Sequence, residues 1–139
     1  MIDTHCHLDM PRFDPDRDDV IARARAAGVA AMVIPGVEPA RWALTEALAL
    51  RGERFIALGI HPQVIPDLDD VTIDRGLAEL AGRLRASGAV AVGECGLDGT
   101  IDLATAPMDR QRRVLEAHIE IARALDLPLV LHVLRARKA

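Results

Sequence analysis

The sequence predicts an α/β fold built on a parallel sheet. Three observations predict it: short, nearly continuous apolar runs recur along the chain, amphipathic stretches with helical spacing separate them, and most of the histidines and one glutamate stand where those runs end. Strands buried on both faces read as unbroken apolar runs, and strand–helix–strand units close through right-handed crossovers.

The elements follow in order. Met1 to Thr4 opens a first strand that runs into His5-Cys6-His7 and then a loop through Pro11 and Pro15. Asp14-Pro15-Asp16 turns the chain into a helix from about Arg17 to Ala27, with Val20, Ile21, Ala24 and Ala27 as its apolar stripe and Gly28 past its end. Val29 to Ile34 is a second strand, stopped by Pro35-Gly36. A second helix begins near Pro39 and carries Trp42, Ala43, Ala47, Leu48 and Leu50 before Gly52. Phe55 to Ile60 is the third strand and delivers His61-Pro62. A third helix spans about Thr72 to Ala86, with Ile73, Leu77, Leu80, Ala81 and Leu84 on one side and Gly88 closing it. Ala89 to Val92 is the fourth strand and delivers Gly93-Glu94-Cys95-Gly96-Leu97-Asp98. The fourth helix, about Met108 to Leu125, sets Val114, Leu115, His118, Ile119, Ile121, Ala122 and Leu125 on its apolar side; His118 reads as a partly buried helix residue without a role. Leu127 to Leu131 is the fifth strand, ending at His132.

Composition narrows the function. With 50% hydrophobic residues and only 2% aromatics in 139 residues, the chain supplies one domain with an aliphatic core. A net charge of −4 argues against binding nucleic acid through a broad cationic surface, and Trp42, Phe13 and Phe55 as the only aromatics supply no base-stacking groove. Lys138 is the only lysine, so no internal lysine is available for Schiff-base chemistry or as a carboxylated bridge between metals. Cys6 and Cys95 lack zinc-ribbon spacing, and neither a secretory signal nor an apolar run of membrane length is present. The expected setting is the reducing cytoplasm, with both thiols as small buried fillers.

Extended backbone sends residues two apart to the same face, so His5 and His7 offer their imidazoles to one point. Asp3 shares their parity, either to neighbour a ligand and accept its second ring proton or to face water. Alone, the pair reads equally well as two solvated histidines. His61, Glu94 and His132 stand at other strand ends, and in parallel α/β architectures ligands bind there. Three histidines and a glutamate are a nitrogen and oxygen donor set for zinc, manganese or a similar ion. Glu94, with two oxygens, is the bridging candidate; the alternative is a carboxylate bonded to backbone at a glycine-rich turn.

Asp3-Thr4-His5-Cys6-His7-Leu8-Asp9, Gly59-Ile60-His61-Pro62, Gly93-Glu94-Cys95-Gly96-Leu97-Asp98, Gln111, and Leu127-Pro128-Leu129-Val130-Leu131-His132 followed by Arg135-Ala136 together resemble the TatD-like metal-dependent hydrolases, in order and spacing along the whole chain. That family belongs to the amidohydrolase-like group. The resemblance implies a TIM (β/α)8 barrel and hydrolysis of phosphodiester bonds in DNA, deoxyribonuclease or exonuclease-like, by metal-activated water. It implies two divalent ions, zinc, magnesium or manganese: His5 and His7 on one, His132 on the other, and Glu94 bridging and catalytic. His61 would then lie near the substrate phosphate and Arg135 would be a cation beside it, with a plain loop or surface role open for both. A related metallohydrolase acting on a small ester, amide or phosphoester is one alternative, and a non-catalytic remnant or complementing fragment is another.

A full barrel has eight strands in about 250 residues. Residues 1–139 supply about five strands and four helices, so the expectation is the N-terminal part of a single barrel, as a fragment or an incomplete product, without the family's later histidine and aspartate. DNA is the expected partner and a membrane is not. Strands one and five would be open edges, and self-association through them is expected.

Overall fold

The computed structural model describes residues 1–136, so Lys138 lies outside the described residues. Five strands, β1 (Ile2–Asp3), β2 (Ala31–Gly36), β3 (Arg54–Leu58), β4 (Ala91–Asp98) and β5 (Leu129–Leu134), alternate with four helices, α1 (Arg17–Ala26), α2 (Trp42–Ala47), α3 (Asp70–Ser87) and α4 (Met108–Leu125). All neighbouring strands are parallel and lie in chain order across one sheet. Because each crossover steps the same way, right-handed connections put the helices on one face and the sheet curls as part of a barrel, without the reversal of strand order that marks a doubly wound sheet.

Local chemistry sets the longer helices. The Asp69 carboxylate accepts the Thr72 amide at 2.7 Å to start α3, and Gly88, at φ 67°, ends it by donating its N–H to the Leu84 carbonyl. Ile73, Gly76, Leu80 and Leu84 are the buried side of α3; Gln111, Val114, His118 and Ala122 are that of α4. Ile34, Ile56, Leu58, Ile60 and Val92 from the sheet side pack with Trp42, Ile73, Leu80, Leu84 and Val114 from the helices. The core is aliphatic, and its one large aromatic, Trp42, satisfies its indole N–H on the Gly59 carbonyl at 3.0 Å.

Several boundaries differ from the sequence expectation. β1 ends at Asp3, although the Cys6 amide still donates to the Val33 carbonyl at 3.1 Å. β2 runs through Pro35-Gly36, because the carbonyl of Pro35, like that of Val33, points to the β1 side, where the ladder has already lapsed and a missing N–H costs little. α2 stops at Ala47: Leu50 pairs back on Arg54, and the Arg54 guanidinium takes the Leu48 carbonyl at 2.7 Å, which closes a turn. β4 and β5 extend past their apolar runs, so Glu94 and His132 lie inside strands rather than just after them. Among the described residues, no helix is long and apolar enough to cross a membrane.

Candidate metal centre

The continued pairing of Cys6 keeps the segment after β1 extended, so Cys6 packs toward the core while His5 and His7 share the opposite face. Their Nε2 atoms are 3.0 Å apart. Asp3 does not reach either ring: its carboxylate accepts the His5 backbone N–H at 3.1 Å.

Glu94 owes its position to a bulge. Val92 pairs with Leu129 but Cys95 pairs with Leu131, so β4 carries one extra residue against Val130. The glycines on either side permit the close approach: a Cβ on Gly93 would come within 2.4 Å of the Val130 carbonyl oxygen, and one on Gly96 within 1.9 Å of that of His132. The extra residue turns the Glu94 side chain toward the histidines. Its Oε2 lies 2.9 Å from His5 Nε2 and 3.3 Å from His7 Nε2, and its Oε1 lies 3.4 Å from both His61 Nε2 and His132 Nδ1. Two donor sets therefore share one carboxylate: His5, His7 and Glu94 on one side, and His61, Glu94 and His132 on the other.

The residues fit divalent cations. Glu94 Oε2 is buried without an aligned hydrogen-bond donor although two ring nitrogens crowd it, an arrangement that a cation between them would satisfy. Burial alone would raise the Glu94 carboxyl, but the ring nitrogens of the histidines gathered around it outweigh that and hold it far below the ordinary carboxylate range. Glu94 is thus ionised and acceptor-only, as a bridging ligand must be.

Ring protons can be assigned from partners, because a neutral imidazole has one N–H and one lone pair. His7 Nδ1 faces the Pro35 carbonyl at 3.2 Å and must donate, which leaves its Nε2 lone pair for a cation. His61 is the reverse: its Nδ1 accepts the Gln63 amide at 3.1 Å as it caps the turn Pro62–Asp67, so its proton is on Nε2, facing Glu94. His132 points Nε2 at Asp98 Oδ2, 3.1 Å away, and Nδ1 at Glu94.

A pocket of about 160 Å³ opens beside these rings, lined by His7, Met10, Val37, His61, Gln63 and Val64. Arg135 follows β5 in an exposed, left-handed conformation (φ 51°), and among the described residues no hydrogen bond or ion pair joins it to the cluster. Of the sequence candidates, the structure brings together His5, His7, His61, Glu94 and His132, and leaves Arg135 outside.

Four residues that sequence reasoning gave no role are buried polar groups. Asp98 is fully buried and bonded to Thr100, Gln63 and His132; burial would raise its pKa, but these bonds bring it to about 2. Gln111 is buried in α4 and clamps the Asp98 backbone, accepting its N–H at 2.8 Å and donating to its carbonyl at 3.2 Å. Asp9 is buried with one oxygen on the Thr45 hydroxyl and the other without a partner, and burial raises its pKa. His118, expected to be partly buried and idle, is fully buried: Nδ1 donates to the Val114 carbonyl at 2.7 Å and Nε2 accepts the Ile60 amide at 3.0 Å, fixing the backbone just before His61. Asp9, Asp98 and Gln111 stand in the stretches that carry the family resemblance, and for His118 the available signal was a polar side chain on the apolar stripe of a helix.

Cys95 is buried and Cys6 half-buried, both are free, and burial pushes both thiols up to about 12, so neither is a nucleophile at neutral pH.

Comparison with known proteins gives the lineage. The TatD related DNase family matches residues 2–139. The chain is 36% identical over 132 residues to the Escherichia coli K12 metal-dependent hydrolase YjjV, covering 94% of this chain and 49% of that protein. It is 36% identical over 133 residues to the 3'-5' ssDNA/RNA exonuclease TatD of Cronobacter sakazakii, covering 95% and 48%, and 33% identical over 140 residues to the human deoxyribonuclease TATDN3, covering 95% and 51%. The crystal structure of Escherichia coli YjjV superposes with a TM-score of 0.83 at 36% identity over 98% of this chain and 51% of that one. A TatD family hydrolase from Entamoeba histolytica has the same fold, with a TM-score of 0.79 at 19% identity over 98% and 50%. The chain spans about half the length of the curated relatives it matches. On the match along nearly its whole length, and on a parallel half-barrel that gathers its histidines around one glutamate, the chain belongs to the family of TatD-related DNases.

Proposed function

We propose that this site is the metal centre of a hydrolase that cleaves phosphodiester bonds in DNA in an exonuclease-like manner. The observation that carries the proposal is the placement of Glu94 between two groups of rings, with Oε2 facing the Nε2 atoms of His5 and His7 and Oε1 facing Nδ1 of His132, as suits a carboxylate shared by two metals in a phosphodiesterase. His5 and His7 would hold one divalent ion, His132 the other, and Glu94 both; zinc, magnesium and manganese all suit nitrogen and oxygen donors to differing degrees. Such ions supply positive charge for the phosphate and lower the pKa of water. An acidic chain needs that charge to be local.

The chain's own groups do the rest. Glu94 stays ionised and fixes the spacing of the two donor sets. His61, with its proton on Nε2, lacks a lone pair on that side and is assigned to substrate binding: it donates a hydrogen bond to a phosphate oxygen as that oxygen takes the place of Glu94 Oε1. Met10, Val37 and Val64 give the adjoining pocket an apolar wall against which a sugar or base can lose water. Arg135 is the nearest sequence candidate for a second phosphate contact, made only if its exposed side chain swings inward. Relatives named exonuclease and deoxyribonuclease support DNA over a small ester, and two free thiols fit a reducing, cytoplasmic setting.

The purified chain should be assayed with each metal on single-stranded DNA, RNA, an aryl carboxylic ester and a small phosphodiester. Metal-dependent release of nucleotides from DNA ends, lost in Glu94→Gln, is expected; faster turnover of the carboxylic ester overturns the nuclease assignment. A second reading, a half-barrel that binds metal and acts only when complemented by a further set of strands, is favoured by the apolar side chains left open on β5. Metal binding without DNA cleavage, with cleavage restored by a complementing half, would select it.

A further inference from the structure

We infer that Asp98 is a positioning residue, whose buried carboxylate fixes the ring of His132 so that Nδ1, and not Nε2, is the atom offered to a cation at Glu94. The inference rests on reading the site as a metal centre and adds a residue to it.

The geometry is a competition between two carboxylates for one proton. His132 stands between Glu94, 3.4 Å from its Nδ1, and Asp98, 3.1 Å from its Nε2. Either carboxylate would accept the ring N–H. If Glu94 took it, Nδ1 would lose its lone pair and His132 would be unable to ligate at that atom. Asp98 is the closer and better aligned acceptor, and its immobility gives it the advantage. It is 0% exposed, its Oδ1 takes both the amide (2.8 Å) and the hydroxyl (2.5 Å) of Thr100, and its Oδ2 also takes the Gln63 side-chain amide at 3.0 Å. All of those partners are donors, so the only role left for the carboxylate toward His132 is acceptor. Gln111 grips the Asp98 backbone on both sides. The strand register explains how the contact arises: Gly96 pairs with His132, and Asp98, two residues on, points to the same face of the sheet. A carboxylate behind a ligating imidazole fixes the ring's tautomer and orientation, and losing such a partner typically costs about 10- to 100-fold in metal affinity. The Gln63 bond carries this arrangement on to the turn that His61 caps, so the two rings facing Glu94 Oε1 are held through one network.

The test begins without metal. In the 15N-labelled chain, two-bond proton–nitrogen correlations should report His132 protonated on Nε2. In Asp98→Asn the amide group can turn its NH2 toward Nε2, and the Nδ1–H form should appear. Calorimetric titration with zinc or manganese should then show affinity falling about 10- to 100-fold in Asp98→Asn. His132 found protonated on Nδ1 in the unmodified chain overturns the inference, a result that needs no variant to fold. An affinity that depends on Glu94 but is unchanged in Asp98→Asn also overturns it. If Glu94→Gln leaves affinity unchanged, the metal-centre reading itself fails.

Discussion

His118 shows how much one proton's location decides. It is buried in α4, donates through Nδ1 and accepts through Nε2, so only the neutral ring fits. Burial, opposed weakly by the Val114 carbonyl, lowers its pKa from 6.5 to about 4. Between those values the unfolded chain binds a proton that the folded chain refuses, so stability is full above about pH 6.5 and falls as pH drops toward 4, by on the order of 3 kcal/mol. Melting temperatures followed from pH 7 to 4 should show this decline, and His118→Gln, which keeps an acceptor for Ile60 but cannot titrate, should flatten it; parallel profiles for the two proteins would refute the assignment. His118→Leu should cost about 1–3 kcal/mol at neutral pH by orphaning the Ile60 amide, as chemical denaturation would report. That His5 and His7 share a face was legible because alternation in an extended strand needs only neighbours in sequence. Which nitrogen each ring offers was not legible, because Pro35, Asp98 and the carbonyl of Val114 reach their histidines only through folding or helix geometry.

At the scale of the element, the bulge in β4 is the feature on which the site depends. The sequence reading ended β4 and β5 at their first polar residue, a rule that works where polarity means solvent. It failed here because the pairing continues from Cys95 to Asp98 through a stretch whose polar side chains face one another rather than water. The glycines were visible in the sequence; that they permit two strands to touch was not. Gly96→Ala tests this. Its new Cβ would sit 1.9 Å from the His132 carbonyl oxygen at a backbone φ of 147°, so β5 must move away from β4 and carry His132 with it. Unfolding in urea should show a loss on the order of 2–4 kcal/mol, with metal affinity reduced as well. Asp69→Ala is the contrast: it removes the α3 cap, whose carboxylate bonds the Thr72 amide and none of the clustered residues, and should cost about 1 kcal/mol with metal affinity unchanged. Equal effects of both variants on metal affinity would mean that general loosening, not strand approach, is responsible.

At the scale of the molecule, sequential strand order was legible from the strand–helix alternation, but what the two edges expose follows from packing. β1 pairs through only two residues and is a poor template for another strand. β5 is longer, and its side chains divide by parity. Val130 and His132 face the bulge and the site, whereas Leu129, Leu131 and Val133 face the helical side. Leu129 still packs against the core, but Leu131 is 52% and Val133 54% exposed, so an apolar stripe continues beyond the last helix that covers it. An unpaired strand edge beside an uncovered apolar stripe favours association of chains. The isolated chain should therefore sediment as species larger than a monomer, increasingly so as concentration rises. Replacing both residues, Leu131→Lys with Val133→Lys, should shift it toward monomer, since charges on that face oppose stacking against another apolar surface. Because His132 projects from the other face, the double variant should keep its zinc or manganese affinity. A wild-type chain that sediments as a monomer at every concentration and melts in one cooperative transition would show instead that the sheet tolerates its open edge, and that the exposed stripe on β5 drives no assembly.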